Sequence, residues 1–257
     1  VANNLSQERK PVKLEVLYAG FWPVNAFKGA TNMNEKPYPV HESLLIGTLL
    51  TAAAGSFDAF TYLLHGEVFA GLQTGNVILL GIHLGQAQWT TAVRYMVPIF
   101  AFMFGTMAAR ALQLQAGKKS RPLTEQRWLI QYEITLILIV TLFGHWLPDL
   151  AASALVSLIA AAQLQEFRRL KGGPFTSLMM TGNLRTAAQS LYDGFIRGQQ
   201  KGRKDAATIG TIILSFATGA AVTGILTTLI GTYALVGAAL CLVWIDIIFW
   251  RDQIELH

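Results

Sequence analysis

Charge is scarce in this chain. Only 14% of its 257 residues are Asp, Glu, Lys or Arg, where a soluble domain carries about a quarter. A water-facing globular surface is not covered at that density. Cysteine is nearly absent as well. The single Cys241 excludes an intrachain disulfide, and its place in an apolar run suits a small packing residue. No group of Cys and His has ligand spacing. His65, His83 and His145 fall near expected helix ends, so no metal and no cofactor is expected. The chain also lacks His-Glu-x-x-His, a usable Ser-His-Asp order, and the Lys-Ser/Thr that would turn a Gly-x-x-x-x-Gly spacing into a phosphate loop. Neither an enzyme nor an ATP-driven pump is expected. The net charge of +5 belongs to short loops, so nucleic acid is not an expected partner.

What the chain has instead is apolar length. Runs cover Leu44–Leu64, Thr91–Ala109, Trp128–Leu147, Leu150–Leu164, Ala206–Ile230 and Gly231–Trp250. Most reach or approach the roughly 20 residues that cross a bilayer's hydrocarbon. This predicts an all-α, polytopic helical membrane protein whose first partner is the lipid bilayer. Residues 1–43 read differently, mixing five basic and four acidic residues with Pro11, Pro23, Pro37 and Pro39. No apolar h-region of a signal peptide precedes Leu44. The segment reads either as a cytoplasmic arm or as an over-extended start, with Met33 the true one. In both cases residues 1–40 are expected to be poorly ordered, and 41–257 to form one membrane domain.

Within that domain the tripeptide Thr-Gly-Asn occurs twice, at Thr74-Gly75-Asn76 and Thr181-Gly182-Asn183. The flanks agree. Asp58 stands sixteen residues before the first Thr, after Ala52-Ala53-Ala54; Gln165 stands sixteen before the second, after Ala160-Ala161-Ala162. Downstream, Phe104-Gly105-Thr106-Met107-Ala108-Ala109 is echoed by Phe216-Ala217-Thr218-Gly219-Ala220-Ala221. Two repeats follow, about 44–147 and 150–250. Gly105 with Ala109, and Ala217 with Ala221, are small residues four apart that would let helices approach closely.

Lys and Arg orient the repeats. Arg110–Arg127 and Asp193–Asp205 are basic, while His65-Gly66-Glu67, Gly85–Thr90 and Pro148-Asp149 hold no Lys or Arg. The first group should be cytoplasmic and the second outside. The first Thr-Gly-Asn segment is then flanked on both sides by outside loops, and the second on both sides by basic ones. A crossing helix has one end of each kind. The expected architecture is therefore about six spans plus two broken or re-entrant segments, in an inverted repeat, with the two dips meeting inside the protein. Eight full crossings in a parallel repeat is the alternative.

Asp58 is the sharpest candidate for chemistry, because a carboxylate inside a span needs a partner or water. Arg94 is expected at similar depth, as an ion-pair partner. Glu133 and Asp246 are expected near the headgroups, beside Trp128 and Trp250. In the Thr-Gly-Asn segments, Gly75 and Gly182 permit unusual backbone, and Thr74, Asn76, Thr181 and Asn183 are short hydrogen-bonding residues suited to helix starts. A helix starting at depth aims free N–H groups at the repeat interface, which suits an anion or a small polar solute. Arg185 would serve an anion. Asn76 and Asn183 could equally tie the dips together with no solute.

The phrases Ala54-Gly55-Ser56-Phe57-Asp58-Ala59, Val68-Phe69-Ala70 and Thr74-Gly75-Asn76 resemble the bacterial YoaK family of multi-pass membrane proteins. So do Leu164-Gln165-Glu166-Phe167-Arg168-Arg169-Leu170 and Phe175 through Arg185. The resemblance covers about residues 44–250. One departure is Ala162-Gln163-Leu164-Gln165, where a Gly is expected before the Leu-Gln pair. The resemblance implies the bacterial inner membrane and a multi-pass fold, and it carries no activity. Function therefore rests on the residues. The leading expectation is a secondary transporter or channel for a small polar or anionic solute, with Asp58, Thr74, Gly75, Asn76, Gln165, Thr181, Gly182, Asn183 and Arg185 along its path. The rival is a membrane scaffold or accessory subunit in which these residues form a buried polar lock. A homo-oligomer is left open by either.

Overall fold

The computed structural model describes residues 38–116 and 123–255. Most of the expectation for residues 1–40, and Lys118, Lys119 and Arg121, lie outside them. Among the described residues the regular structure is helical apart from one short hairpin. In chain order the helices are α1 (Leu44–Leu64), α2 (Gln73–Gly85), α3 (Trp89–Ala116), α4 (Thr124–Phe143), α5 (Asp149–Glu166), α6 (Met180–Leu191), α7 (Gln200–Ile230) and α8 (Val236–Glu255). A two-residue pair of strands, Arg169–Leu170 against Gly173–Pro174, lies between α5 and α6.

Among the described residues, four stretches are long and apolar enough to cross a membrane: Leu44–Leu64, Trp89–Gln115, Thr124–Phe143 and Gln200–Ile254. The last is not one rod. Gly231 has φ of 58° and opens a 3-10 turn, Gly231–Leu235. Beyond it, a Cβ built on Gly237 would lie 3.6 Å from Leu226 and 3.9 Å from Val222. On a continuous helix those residues would be separated by roughly 16–22 Å, so α8 folds back along α7. α5 falls short of the same standard because Gln163, Gln165 and Glu166 close its C-terminal turn.

Boundaries follow local chemistry. Ser43 caps α1, its hydroxyl accepting from the Ile46 amide at 3.4 Å; the turn after the helix uses Gly66 at φ 88°. Four expected helices begin earlier than their apolar runs, since charged and polar first turns such as Thr124–Arg127 and Gln200–Asp205 extend α4 and α7 into the polar region. Pro98 sits inside α3, where it removes one backbone donor.

The core is built by α1, α4, α5 and α8. Leu235 at the end of the 3-10 turn and Ala238, Leu242, Ile245 and Phe249 of α8 are buried at three- and four-residue spacing; they meet Ile130, Ile137 and Val140 of α4, Val156 and Ile159 of α5, and Leu50, Phe57 and Phe60 of α1. Helix pairing is balanced between the halves. α1 packs most extensively on α7, and α3 on α5; α2 lies on α3, and α6 on α7; α8 packs on α1, and α4 on α5. If α1–α4 are matched with α5–α8, each contact in this set has its counterpart, while α1·α5 and α4·α8 map onto themselves.

Directions can be read from named contacts. Gln163 of α5 reaches the Leu50 carbonyl of α1 at 3.0 Å, while His65 reaches Asp149 at 3.1 Å, so α1 and α5 are antiparallel. Arg127–Asp246 at one end and Gly144–Thr232 at the other make α4 and α8 antiparallel. Gly47 beside Ile212, with Gly55 beside Phe216 and Ala220, makes α1 and α7 parallel. Gly105 beside Leu158 and Ala161, with Gln113 beside Glu166, does the same for α3 and α5.

The small-residue expectation holds on α3, where Gly105 meets α5 and Ala109 is buried. It needs correction on α7. Ala217 and Ala221 are exposed. The buried pair is Gly219 and Thr223, two residues further along, because that face rather than its neighbour turns toward α1.

Candidate functional site

The two Thr-Gly-Asn segments begin as extended chain and become helical only at their tips. After α1 the backbone runs inward through Val68–Leu72, and α2 starts at Gln73. Its start is at the depth of Asp58, about 9 Å below the end of α1. The Asp58 carboxylate explains why. Its Oδ1 accepts from the amides of Gly71 at 2.6 Å and Leu72 at 3.3 Å. Backbone donors that would be left unpaired at the start of α2 thus meet an acceptor on α1, at the end where the helix dipole favours negative charge. Asp58 is 6% exposed, and its Oδ2 has no hydrogen-bond partner.

Asn76 holds the same dip from within. It is fully buried. Its Nδ2 donates to the Phe69 carbonyl at 2.7 Å and to Gln73 at 2.8 Å, and its Oδ1 accepts from the Phe69 amide at 2.9 Å. Gly75 is pressed against the Phe69 ring, with a would-be Cβ only 2.9 Å from it. Asn183 repeats the arrangement, donating at 3.0 Å to the carbonyl of Thr176, again seven residues earlier. Thr176 accepts from the Met179 amide at 3.0 Å as the chain enters α6.

The dips touch. Gly71 and Leu178 are equivalent positions, separated by the same offset as Thr74 and Thr181. A Cβ on Gly71 would collide with Leu178 Cδ2. Only a glycine lets the Leu178 side chain close over this tip.

The halves differ at the residue that faces the dip. Gln165, the counterpart of Asp58 by spacing, turns away and donates to Gln113 of α3 at 3.0 Å. Gln163 faces the dip instead: it is fully buried and donates to Ser177 at 2.7 Å, with its Oε1 unpartnered. Two residues are more than half a helical turn, which is why spacing along the sequence points to the wrong side of α5. The expected Asp58–Arg94 pair is not formed. Arg94 reaches the Gly66 carbonyl at 3.4 Å, at the rim of the first dip. Thr74, Thr181, Gly182 and Arg185 are exposed on the outer faces of α2 and α6 and do not point into the junction.

A family model described as "Protein of unknown function (DUF1275)" matches residues 46–248. That is most of the chain. The protein belongs to this family. It is also 24% identical over 159 residues to the UPF0700 transmembrane protein YoaK of Bacillus subtilis (strain 168), covering 60% of this chain and 69% of that protein. No solved structure matches. The family match contains both dips, Asp58 and Gln163, so the junction belongs to the part shared with the DUF1275 family.

One further acid, Glu133, is buried within the protein in a way that its place beside Trp128 in the sequence does not suggest. Trp128 is indeed 70% exposed, but Glu133 is fully buried on the inner stripe of α4 between Ile130 and Ile137, with both carboxyl oxygens unpartnered. Its spacing of three and four from those residues is the available signal. Asp246 instead pairs with Arg127 at 3.1 Å. Among the described residues, no group of three His, Cys, Asp or Glu side chains could hold a metal ion.

Proposed function

We propose that this DUF1275 member is a secondary transporter or channel for a small polar or anionic solute in the bacterial inner membrane. Its frame would be six crossings (α1, α3, α4, α5, α7 and α8) and two re-entrant segments, arranged as an inverted repeat. The antiparallel pairings of α1 with α5 and of α4 with α8 support that arrangement, since a parallel repeat would align the members of each pair.

The observation that carries the functional reading is the junction itself: the segments leading into α2 and α6 touch at Gly71 and Leu178, beside a buried carboxylate with one oxygen unpartnered. Broken helices at a repeat interface are where secondary transporters hold their solutes. In this reading Asp58 is the coupling or gating group. A proton or cation taken up at Oδ2 would compete with the Gly71 and Leu72 amides for the carboxylate and loosen the first dip. Leu178 against Gly71 would be the closed gate. Gln163 and Ser177 replace Gln165, Thr181 and Arg185 as the residues facing the path in the second half, while Asn76 and Asn183 keep the dips in shape.

The rival reading, a scaffold with a polar lock, is favoured by the complete internal bonding of Asn76. One experiment separates the two. In a Cys241→Ala background, Leu178→Cys is treated in membranes with a small water-soluble thiol reagent. Labelling that depends on the side of addition, and that Asp58→Asn alters, is expected of a transporter. A thiol at this position that stays unreactive from both sides while the protein remains folded would leave only the scaffold.

A further inference from the structure

The turn between α6 and α7 presents an arrangement that the junction does not use. α6 runs into a π-turn, Tyr192–Ile196, and the chain re-enters helix at Gln200. The corner is held tightly. A Cβ on Gly194 would lie 2.7 Å from the Arg203 amide nitrogen, and one on Gly202 would lie 2.5 Å from the Gly194 nitrogen, so backbone packs on backbone. The Gln199 amide donates to the Asp193 carbonyl at 2.9 Å, and Arg203 Nε donates to the Gly194 carbonyl at 2.9 Å. Such a corner fixes the backbone from which its side chains project.

Two classes of side chain project from it. Phe195 and Ile196 are 66% and 71% exposed, and Tyr192 is also exposed. Beside them stand the exposed cations Arg197, Arg203 and Lys204. The Arg203 guanidinium lies 5.7 Å above the centre of the Phe195 ring, and Arg197 pairs with Asp193 at 3.2 Å. Bulky apolar groups next to cations match the membrane boundary, where rings and aliphatic chains meet acyl chains and basic groups meet phosphates. The acids of the corner, Asp193 and Asp205, are outnumbered by its cations, so the surface complements an anionic headgroup and gains nothing special from a zwitterionic one.

We propose that the α6–α7 corner is a binding site for an anionic phospholipid, with Arg197, Arg203 and Lys204 on the phosphate and Phe195 and Ile196 along the first part of an acyl chain. The inference rests on the chain being membrane-embedded and is independent of transport. The test uses the full chain purified in detergent, with thermal unfolding followed during titration with phosphatidylglycerol, phosphatidylcholine or inorganic phosphate. Phosphatidylglycerol at about 100 times its dissociation constant should raise the midpoint by about 5 °C, with much smaller shifts for the other two. Arg197→Gln with Lys204→Gln should remove most of the difference between the two lipids. If the double variant does not fold, Lys204→Gln alone, with bound lipids counted by native mass spectrometry, gives the same comparison. Equal shifts from both lipids, or an undiminished preference in the variants, would overturn the site. An equal shift from phosphate alone would reassign it to a free anion.

Discussion

Asp58 does two things with one carboxyl group. Oδ1 finishes the start of α2, and Oδ2 is left without a partner. The two roles separate by substitution. Asp58→Ala leaves the Gly71 and Leu72 amides unpaired in a buried place, at a cost of about 1–3 kcal/mol, and should lower folded yield. Asp58→Asn keeps an acceptor oxygen at the same position, so the fold should persist while any proton- or cation-coupled flux is lost. Equal yields for both variants would refute the capping role. Glu133 poses the opposite case. Replacing an unpartnered buried acid by an apolar residue of similar size is often neutral or stabilising, so Glu133→Leu should keep or raise the midpoint of thermal unfolding in detergent. A large loss would mean that the acid has a structural partner. His41, just before α1, lies outside the spans, and burial holds its imidazole below the ordinary 6.5. The folded state therefore takes up this proton less readily than the unfolded chain. The stability involved is fully present above pH 6.5 and is lost as pH falls through the depressed value. Stability should decline below pH 6.5, and His41→Asn should decline less steeply; identical slopes would remove His41 from the explanation.

At the scale of elements, the closest approach is the crossing of α1 and α7. A Cβ on Gly219 would collide with the Ala52 carbonyl oxygen, and one on Gly55 with that of Phe216. Ser56 adds a hydrogen bond to the Gly219 carbonyl at 3.2 Å. Gly219→Ala must push two backbones apart and should cost about 1–3 kcal/mol or more. Gly182→Ala on α6 meets nothing within 4 Å and should be close to neutral. A thermal scan of both checks the contrast, and similar losses would contradict the geometry. The same crossing shows what a single sequence conceals. Small residues on α7 lie on both faces, Ala217 and Ala221 outward and Gly219 inward, and motif alignment does not say which face turns to α1. The start of α2, in contrast, could be read: Gly and Asn interrupting an apolar stretch mark a helix that begins late. Gln163 and Gln165 were harder, because which of two nearby glutamines faces the dip depends on the rotation of α5 about its axis.

For the molecule as a whole, much was legible because lipid imposes simple rules. Apolar length located the long helices, while the sides that basic residues assign to the loops belong to the proposed topology. What the rules did not supply was which helix packs on which. That depends on the shape of α1 and α5, whose alanine-rich middles let them lie against each other and against the partner half. The proposed topology is checked with single cysteines in a Cys241→Ala background. Those at Glu67 and Gln86 should label only from outside, and those at Lys171 and Gln199 only from inside. Glu67 and Gln86 labelling from opposite sides would mean that α2 crosses, and the inverted repeat would be lost.

α1 rests mainly on α7 and α5 mainly on α3, so each half completes its packing with an element of the other. A chain cut between Phe143 and Asp149 should therefore yield two fragments that are unstable alone and recover the fold only when made together. Under the proposed inverted repeat, this is the arrangement that two copies of a half-length polypeptide would form by inserting into a bilayer in opposite orientations and clasping each other.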